Sequence, residues 1–357
     1  MDISKFNGIL TKKRIWAGVL LAQFLLFYIL SKSEKAVSFF EWFFEKQKNA
    51  HTFLPSRISF SIGDAFYTLL SLFIIFKLIQ IFRRKTRKKA VFQLLVLANV
   101  FYFVYQIFWG MLYFQKPIKE KLKPAEINNQ ILKELAIKEL EICKKLREQL
   151  HENEKGIFTL VDVKKIQLEV LQNQSKIPLE ISKKKPIIYN NIKPSLFSFI
   201  EGYTGILGYY NPFTSEAQYN QYLPDTYIPF TIAHESAHQL GFAREQEANF
   251  IAYMLGKNST DISLKYATHY FTLRSLINAL SYSDEVTAKK MLDSYSEAMK
   301  RDRNYELAFR EKHSGKVDAF FGFTNDLFLK TNQQEGAITY SYFVELLVQY
   351  ENQNKSH

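Results

Sequence analysis

Three long apolar stretches dominate the first third of the chain. Ile15 to Leu30 is broken only by Gln23, and Ala90 to Phe114 is rich in Phe and Tyr, with Trp109 near its far end. Between them, about Ile58 to Phe82 carries two charges, Asp64 near its start and Lys77 near its end. A helix needs about 20 mostly apolar residues to cross a bilayer, so each stretch predicts a membrane span, at about 15–31, 60–82 and 90–114. Lys77 can snorkel to the headgroups, and Asp64 reads as a boundary residue or helix cap. The basic start Lys12-Lys13-Arg14 resembles that of a signal peptide. However, Ser31-Lys32-Ser33-Glu34-Lys35 offers no small-x-small cleavage site, so the first span is expected to stay on the chain. Residues 31 to 57 interleave Phe39, Phe40, Trp42, Phe43 and Phe44 with charges. This pattern suits a short helix lying in the membrane interface or, equally, a loop packed on the domain that follows.

After Phe114 the pattern becomes helical and amphipathic. Pro124 to about His151 predicts a long charged helix whose stripe of Ile127, Ile131, Leu135, Ile142 and Leu146 faces a core. A second helix is expected over Leu160 to Gln172. Residues 198 to 213 mix glycines, aromatics and β-branched residues, which suggests a strand or hairpin. Beyond Lys257, apolar residues at helical spacing predict three or four more helices. The expected architecture is mainly α: a three-helix membrane anchor over 1–114, then an α+β domain with a small sheet over 115–357.

The net charge of +12 is concentrated beside the apolar runs, and no nucleic-acid-binding signature accompanies it. It therefore bears on membrane orientation. Arg83-Arg84-Lys85-Thr86-Arg87-Lys88-Lys89 and the Lys-Lys-Arg before the first span mark the cytoplasmic side, which puts residues after Phe114 outside. Lys116, Lys119, Lys121 and Lys123 pull the other way. The single Cys143 excludes an internal disulfide framework and reads as a structural thiol.

The chemistry is concentrated in residues 229 to 253. Pro229 fits a first helical turn, Phe230, Ala233, Ala237 and Leu240 recur at helical spacing, and Gly241 is a natural stop. On that helix His234, Glu235 and His238 form H-E-x-x-H, which aims two imidazoles the same way, one turn apart. Two neutral imidazoles at this spacing suit Zn2+, and the adjacent carboxylate can act as general base on a metal-held water. A third ligand could be Glu245 or Glu247. These sit two apart on a helix, so only one can face the metal. Glu245 is favoured because Ala248, Ala252 and Leu255 share its side, and Asn249, one turn on, could hydrogen-bond a ligating histidine. The plainer reading is a helix with two structural histidines.

His234-Glu235-x-x-His238 followed by Glu245-x-x-Ala248-Asn249-x-x-Ala252 resembles the zincin metallopeptidases with a glutamate third ligand. The resemblance implies that His234, His238 and Glu245 bind zinc, that Glu235 is the base, and that Asn249 supports a ligand. Glu245 follows His238 by seven positions, a shorter link than in most such enzymes, which keeps Glu247 open. Gly241 sits where the metzincins place a turn glycine, but Arg244 occupies the position of their third histidine. More broadly, the three spans, Gly-Tyr-Tyr-Asn-Pro-Phe-Thr-Ser-Glu-Ala and His-Glu-x-x-His-Gln-Leu-Gly-Phe resemble an uncharacterised family of bacterial membrane proteins. The implied protein sits in the bacterial plasma membrane, and its zincin-like domain hydrolyses a peptide or protein of the envelope. The alternative is a non-catalytic zinc module that binds or assembles envelope components. His269, His313, Tyr340 and Tyr342 are possible oxyanion donors, and none is assigned that role.

Overall fold

The computed structural model describes residues 13–315 and 339–355. Three of its helices are long and apolar enough to cross a membrane: α1 (Lys13–Ser31), α3 (Ile62–Phe82) and α4 (Arg87–Phe108). Leu21, Leu25, Leu69, Leu72 and Phe76 are exposed on their outer faces, as lipid contact requires. These helices anchor the protein in the bilayer. Their inner faces pack through rings, Phe24 on Tyr102 and Phe66 stacked on Phe101.

The third apolar run is longer than the third span. α4 ends at Phe108, and Gly110–Phe114 folds as a 3-10 turn in which Leu112 and Tyr113 are buried in one cluster with Phe44 and Ala243, and Met111 in another with Phe27, Val37 and Phe40. Apolar pattern marks burial but does not distinguish lipid from protein as the burying medium, which is why the run overestimates the span. The connection between the first two spans forms α2 (Glu34–Phe53), with Ser33 accepting from the Ala36 amide as N-cap. Val37, Phe40, Phe44, Lys48 and Thr52 make its buried stripe, while Phe39 and Trp42 point outward. The segment is therefore a helix and not a loop, with one face buried in protein and the other exposed.

The rest is mainly helical: α5 (Asn129–Arg147), α6 (Val163–Asn173), α7 (Ser198–Gly202), α8 (Ile228–Leu240), α9 (Glu245–Gly256), α10 (Ile262–Ser281), α11 (Glu285–Asp293), α12 (Glu297–His313) and α13 (Thr339–Lys355). α5 is shorter than expected at both ends, and its core stripe is rotated. Leu132, Leu135, Ala136, Leu140, Cys143 and Leu146 are buried, while Ile127 precedes the helix and is exposed. Asn128 explains the late start, because its side chain caps the Ile131 amide. α10 lies at the centre, packed on α5, α8, α9 and α13. Arg147 and Asp302 form a fully buried pair that ties α5 to α12 through Nε and an Nη.

A three-stranded sheet in the order β1-β3-β2 lies beside α8: β1 (Ile192–Pro194), β2 (Gly208–Asn211) and β3 (Glu216–Tyr219). β1 runs parallel to β3, whereas β2 and β3 are an antiparallel hairpin with Gly208 opposite Tyr219. The expected strand region is thus half right, since 198–202 is helix and the hairpin runs from 208 to 219. The sheet also sits on the membrane helices. Glu216 accepts from the Ile62 and Gly63 amides and so caps the start of α3, while Asp64 accepts from the Leu196 amide and from the Tyr209 hydroxyl.

Candidate metal centre

α8 has the local logic expected of it. Pro229 occupies its first turn, and Gly241 ends it at φ +98°, a left-handed conformation that a side chain resists. A Cβ on Gly241 would also come within 2.7 Å of the Phe44 ring, so the glycine lets α2 close on the end of the helix. The tight reversal starts α9 at Glu245 and turns its first residue back over α8.

Three side chains converge across this bend. His234 Nε2 lies 3.1 Å from His238 Nε2 and 3.1 Å from Glu245 Oε2, and His238 Nε2 is 3.6 Å from Glu245 Oε1. Donors bound tetrahedrally to zinc at 2.0–2.1 Å are spaced about 3.3 Å apart, so these separations match a shared ion. The other ring nitrogens fix the tautomers. His238 Nδ1 lies 2.7 Å from the Phe242 carbonyl, which can only accept, so Nδ1 carries the proton and a neutral ring turns the Nε2 lone pair inward. His234 Nδ1 meets Asn249 Oδ1 at 2.8 Å with the same consequence. Two lone pairs and a carboxylate facing one another repel unless a cation or added protons lie between them. Among the described residues, these three form the set of His, Cys, Asp and Glu groups close enough to share a metal.

Glu235 is buried behind the ligands, and its Oε2 has no hydrogen-bond partner among the described residues. Burial is the main influence that pushes its carboxyl up to about 8; His234 draws it down, while Glu245 and Glu201 push it further up. Burial also acts to raise Glu245, but His238 and His234 outweigh it and hold that carboxyl well below the usual range. Glu247, the other candidate ligand, is excluded from the centre. It is turned into the protein, accepts from the Ile118 amide at 2.8 Å and pairs with Arg244 at 3.2 Å. The two-residue offset on α9 separates the glutamates as helical geometry requires.

Two of the possible oxyanion donors lie elsewhere. His269 is buried between Glu139 and the Lys257 carbonyl, and His313 bonds the Phe309 carbonyl and packs on Tyr203. Neither joins the ligands. The Tyr340 side chain lies outside the described residues.

Several residues around the centre were missed in the sequence because they come from distant elements. The Trp109 ring, one residue beyond α4, lies 5.8 Å from the His238 ring and 4.6 Å from that of Tyr210 on β2. Tyr113 is buried nearby, and burial raises its hydroxyl well above the ordinary value with Glu245 adding to the effect, so it stays a neutral donor. Gly208 lets β2 approach α8: a Cβ there would fall 2.6 Å from the Gln218 carbonyl and 3.0 Å from Glu235 Cγ. Glu201 on α7 is buried, accepts from Ser195 Oγ at 2.6 Å, and has a second carboxyl oxygen without a partner among the described residues.

No curated protein and no solved structure matches the chain. A family model described as a protein of unknown function, DUF3810, matches residues 39–348. That range begins within α2, ends within α13 and contains every residue of the centre. The chain therefore belongs to the DUF3810 family.

Proposed function

We propose that this protein is a membrane-anchored, zinc-dependent peptidase acting on a peptide or protein of the envelope. The observation that supports this reading most is the convergence of two tautomer-fixed imidazoles and one carboxylate, with an unpartnered buried carboxyl oxygen beside them. The donor set fits zinc in ligand type, number and spacing. His234 and His238 would hold the ion through Nε2 and Glu245 through its carboxylate. When bound, zinc supplies Lewis acidity that polarises a carbonyl and makes water more acidic.

The chain's own residues account for the proton movements. A cation at the centre would offset the burial that raises the Glu235 carboxyl and leave it ionised, so that Glu235 Oε2 can accept a proton from the attacking water and return it to the leaving amine. Its burial keeps it from being lost to solvent hydrogen bonds. Asn249 Oδ1 and the Phe242 carbonyl hold the imidazoles in the tautomer that a cation needs, and Trp109 shields one flank from bulk water.

In orientation, α2, the start of α3 and the end of α4 all meet the domain, whereas the basic loop 83–89 lies at the opposite end of the spans. With that loop cytoplasmic, the N-terminus is cytoplasmic and the domain extracytoplasmic, in the plasma membrane of a bacterium.

Metal analysis of the purified full-length protein, paired with peptide hydrolysis, tests this reading. Wild type and Glu235→Gln should each carry one zinc per chain, while hydrolysis falls by about 10²–10⁴-fold in the variant. Glu245→Gln should lose zinc and Glu247→Gln should keep it. A wild-type protein without zinc sinks the proposal.

A further inference from the structure

The start of α3 is ringed by exposed apolar side chains that belong to the domain as well as to the anchor. Leu54 and Phe60 lie in the connection entering α3; Leu196, Phe199 and Ile200 lie on and just before α7; all five are more than half exposed. Direct bonds hold the two groups together. The Leu196 amide donates to Asp64, the third residue of α3, at 2.7 Å, and Lys193 Nζ donates to the Pro55 and Phe60 carbonyls at 2.8 and 3.0 Å. A cluster of this kind is unfavourable in water and marks a contact surface. Here it is continuous with the lipid-facing side of a membrane span, where Leu69 and Leu72 are exposed.

The other side of α7 is turned into the protein, since Glu201 is buried and accepts from Ser195 Oγ. The metal centre lies close to the spans. Phe213, in the β2–β3 turn, packs on Phe66 and Phe101 with ring centroids 6.0 and 5.2 Å away. Trp109, which touches His238, follows Phe101 by eight residues, or about 12 Å of helix. An extended chain covers that distance in about four residues.

We infer that the rim formed by Leu54, Phe60, Leu196, Phe199 and Ile200 is immersed in the bilayer interface, so that the metal centre takes its substrate from the membrane surface: a membrane-anchored polypeptide cut in the stretch where it leaves the lipid. The substrate class rests on the peptidase reading; the immersion of the rim does not.

Two measurements on the full-length protein in phosphatidylcholine nanodiscs separate these parts. Phe199→Cys is labelled with a fluorophore (Cys143 is fully buried) and compared with Leu72→Cys in mid-span and Val161→Cys on an exposed loop of the domain. A quencher on the lipid acyl chain should dim the probe at 199 as it does at 72, and aqueous iodide should spare it. Quenching at 199 like that at 161 overturns the inference. Second, a degenerate peptide library is offered free or fused behind a single membrane helix. Cuts should cluster within about ten residues of the helix, and the free library should be cut at least tenfold more slowly. Equal cleavage of the free library overturns the substrate class. No cleavage of either by zinc-loaded protein removes the peptidase reading and the substrate class together, while the quenching result still decides the rim.

Discussion

His234 and His238 each commit one ring nitrogen to a fixed acceptor, and this makes their other nitrogens useful. The acceptors differ in kind. The Phe242 carbonyl is set by the backbone reversal at Gly241, whereas Asn249 Oδ1 is a side chain and can be removed. Asn249→Ala should therefore lower zinc affinity by about 10–100-fold, measured by competition with a chelating dye, and leave the fold intact. Unchanged affinity would show that the His234 tautomer is set some other way. Glu201 gives the pH dependence. Burial is the main cause that pushes its carboxyl up to about 7, with the Ser195 bond opposing and Asp64 adding. The folded state therefore prefers the protonated form. The associated stability is fully present below the ordinary value of 4.5, falls as pH rises through the interval to about 7, and is constant above it. Denaturation midpoints of wild type and Glu201→Gln should converge at low pH. By pH 8 the variant should be the more stable, by on the order of 2 kcal/mol after solvent screening.

At the scale of elements, the centre depends on one sharp connection. α8 and α9 are separated by four residues, and Gly241 takes the left-handed conformation that lets Glu245 fold back over His234. Gly241→Ala meets both a strained backbone and the Phe44 ring. It should destabilise the protein by about 1–3 kcal/mol and weaken zinc binding, read from melting curves with and without metal. The alternatives between Glu245 and Glu247 could be narrowed in the sequence because helix periodicity separates residues two apart. The environment of Glu247 could not be foreseen, since its partner amide comes from Ile118, on a different part of the chain. The rotated stripe of α5 has the same kind of cause: several faces of that helix carry apolar residues, and only the neighbours decide which is covered.

Across the whole molecule, anchor and domain share their packing. Phe44, Trp109, Leu112, Tyr113 and Ala243 form one apolar cluster drawn from both, and Glu216 caps a membrane helix from within the sheet. A soluble fragment beginning at residue 115 would lose Trp109 from the side of His238 and Phe44 from beside Gly241, and would leave Lys193 and Glu216 without their anchor-side partners. Such a fragment should bind zinc at least tenfold more weakly than the full-length protein, or aggregate on expression. A monomeric fragment with undiminished affinity would show that the anchor serves only to tether.

What the sequence determined by itself was local in origin. Three apolar runs of bilayer length gave the spans, helical spacing and a glycine stop gave α8, and the four-residue interval in His-Glu-x-x-His placed two imidazoles on one face. Each follows from the period of the backbone and needs no distant partner. Tertiary structure decided what depends on contacts between remote segments. It ended the third span at Phe108 by burying residues 110–114 in protein, selected Glu245 across the bend at Gly241, and brought Trp109, Gly208 and Glu201 around the centre. An apolar or acidic residue has the same local pattern whichever surface covers it, so only the packed chain tells lipid from protein and ligand from ion pair.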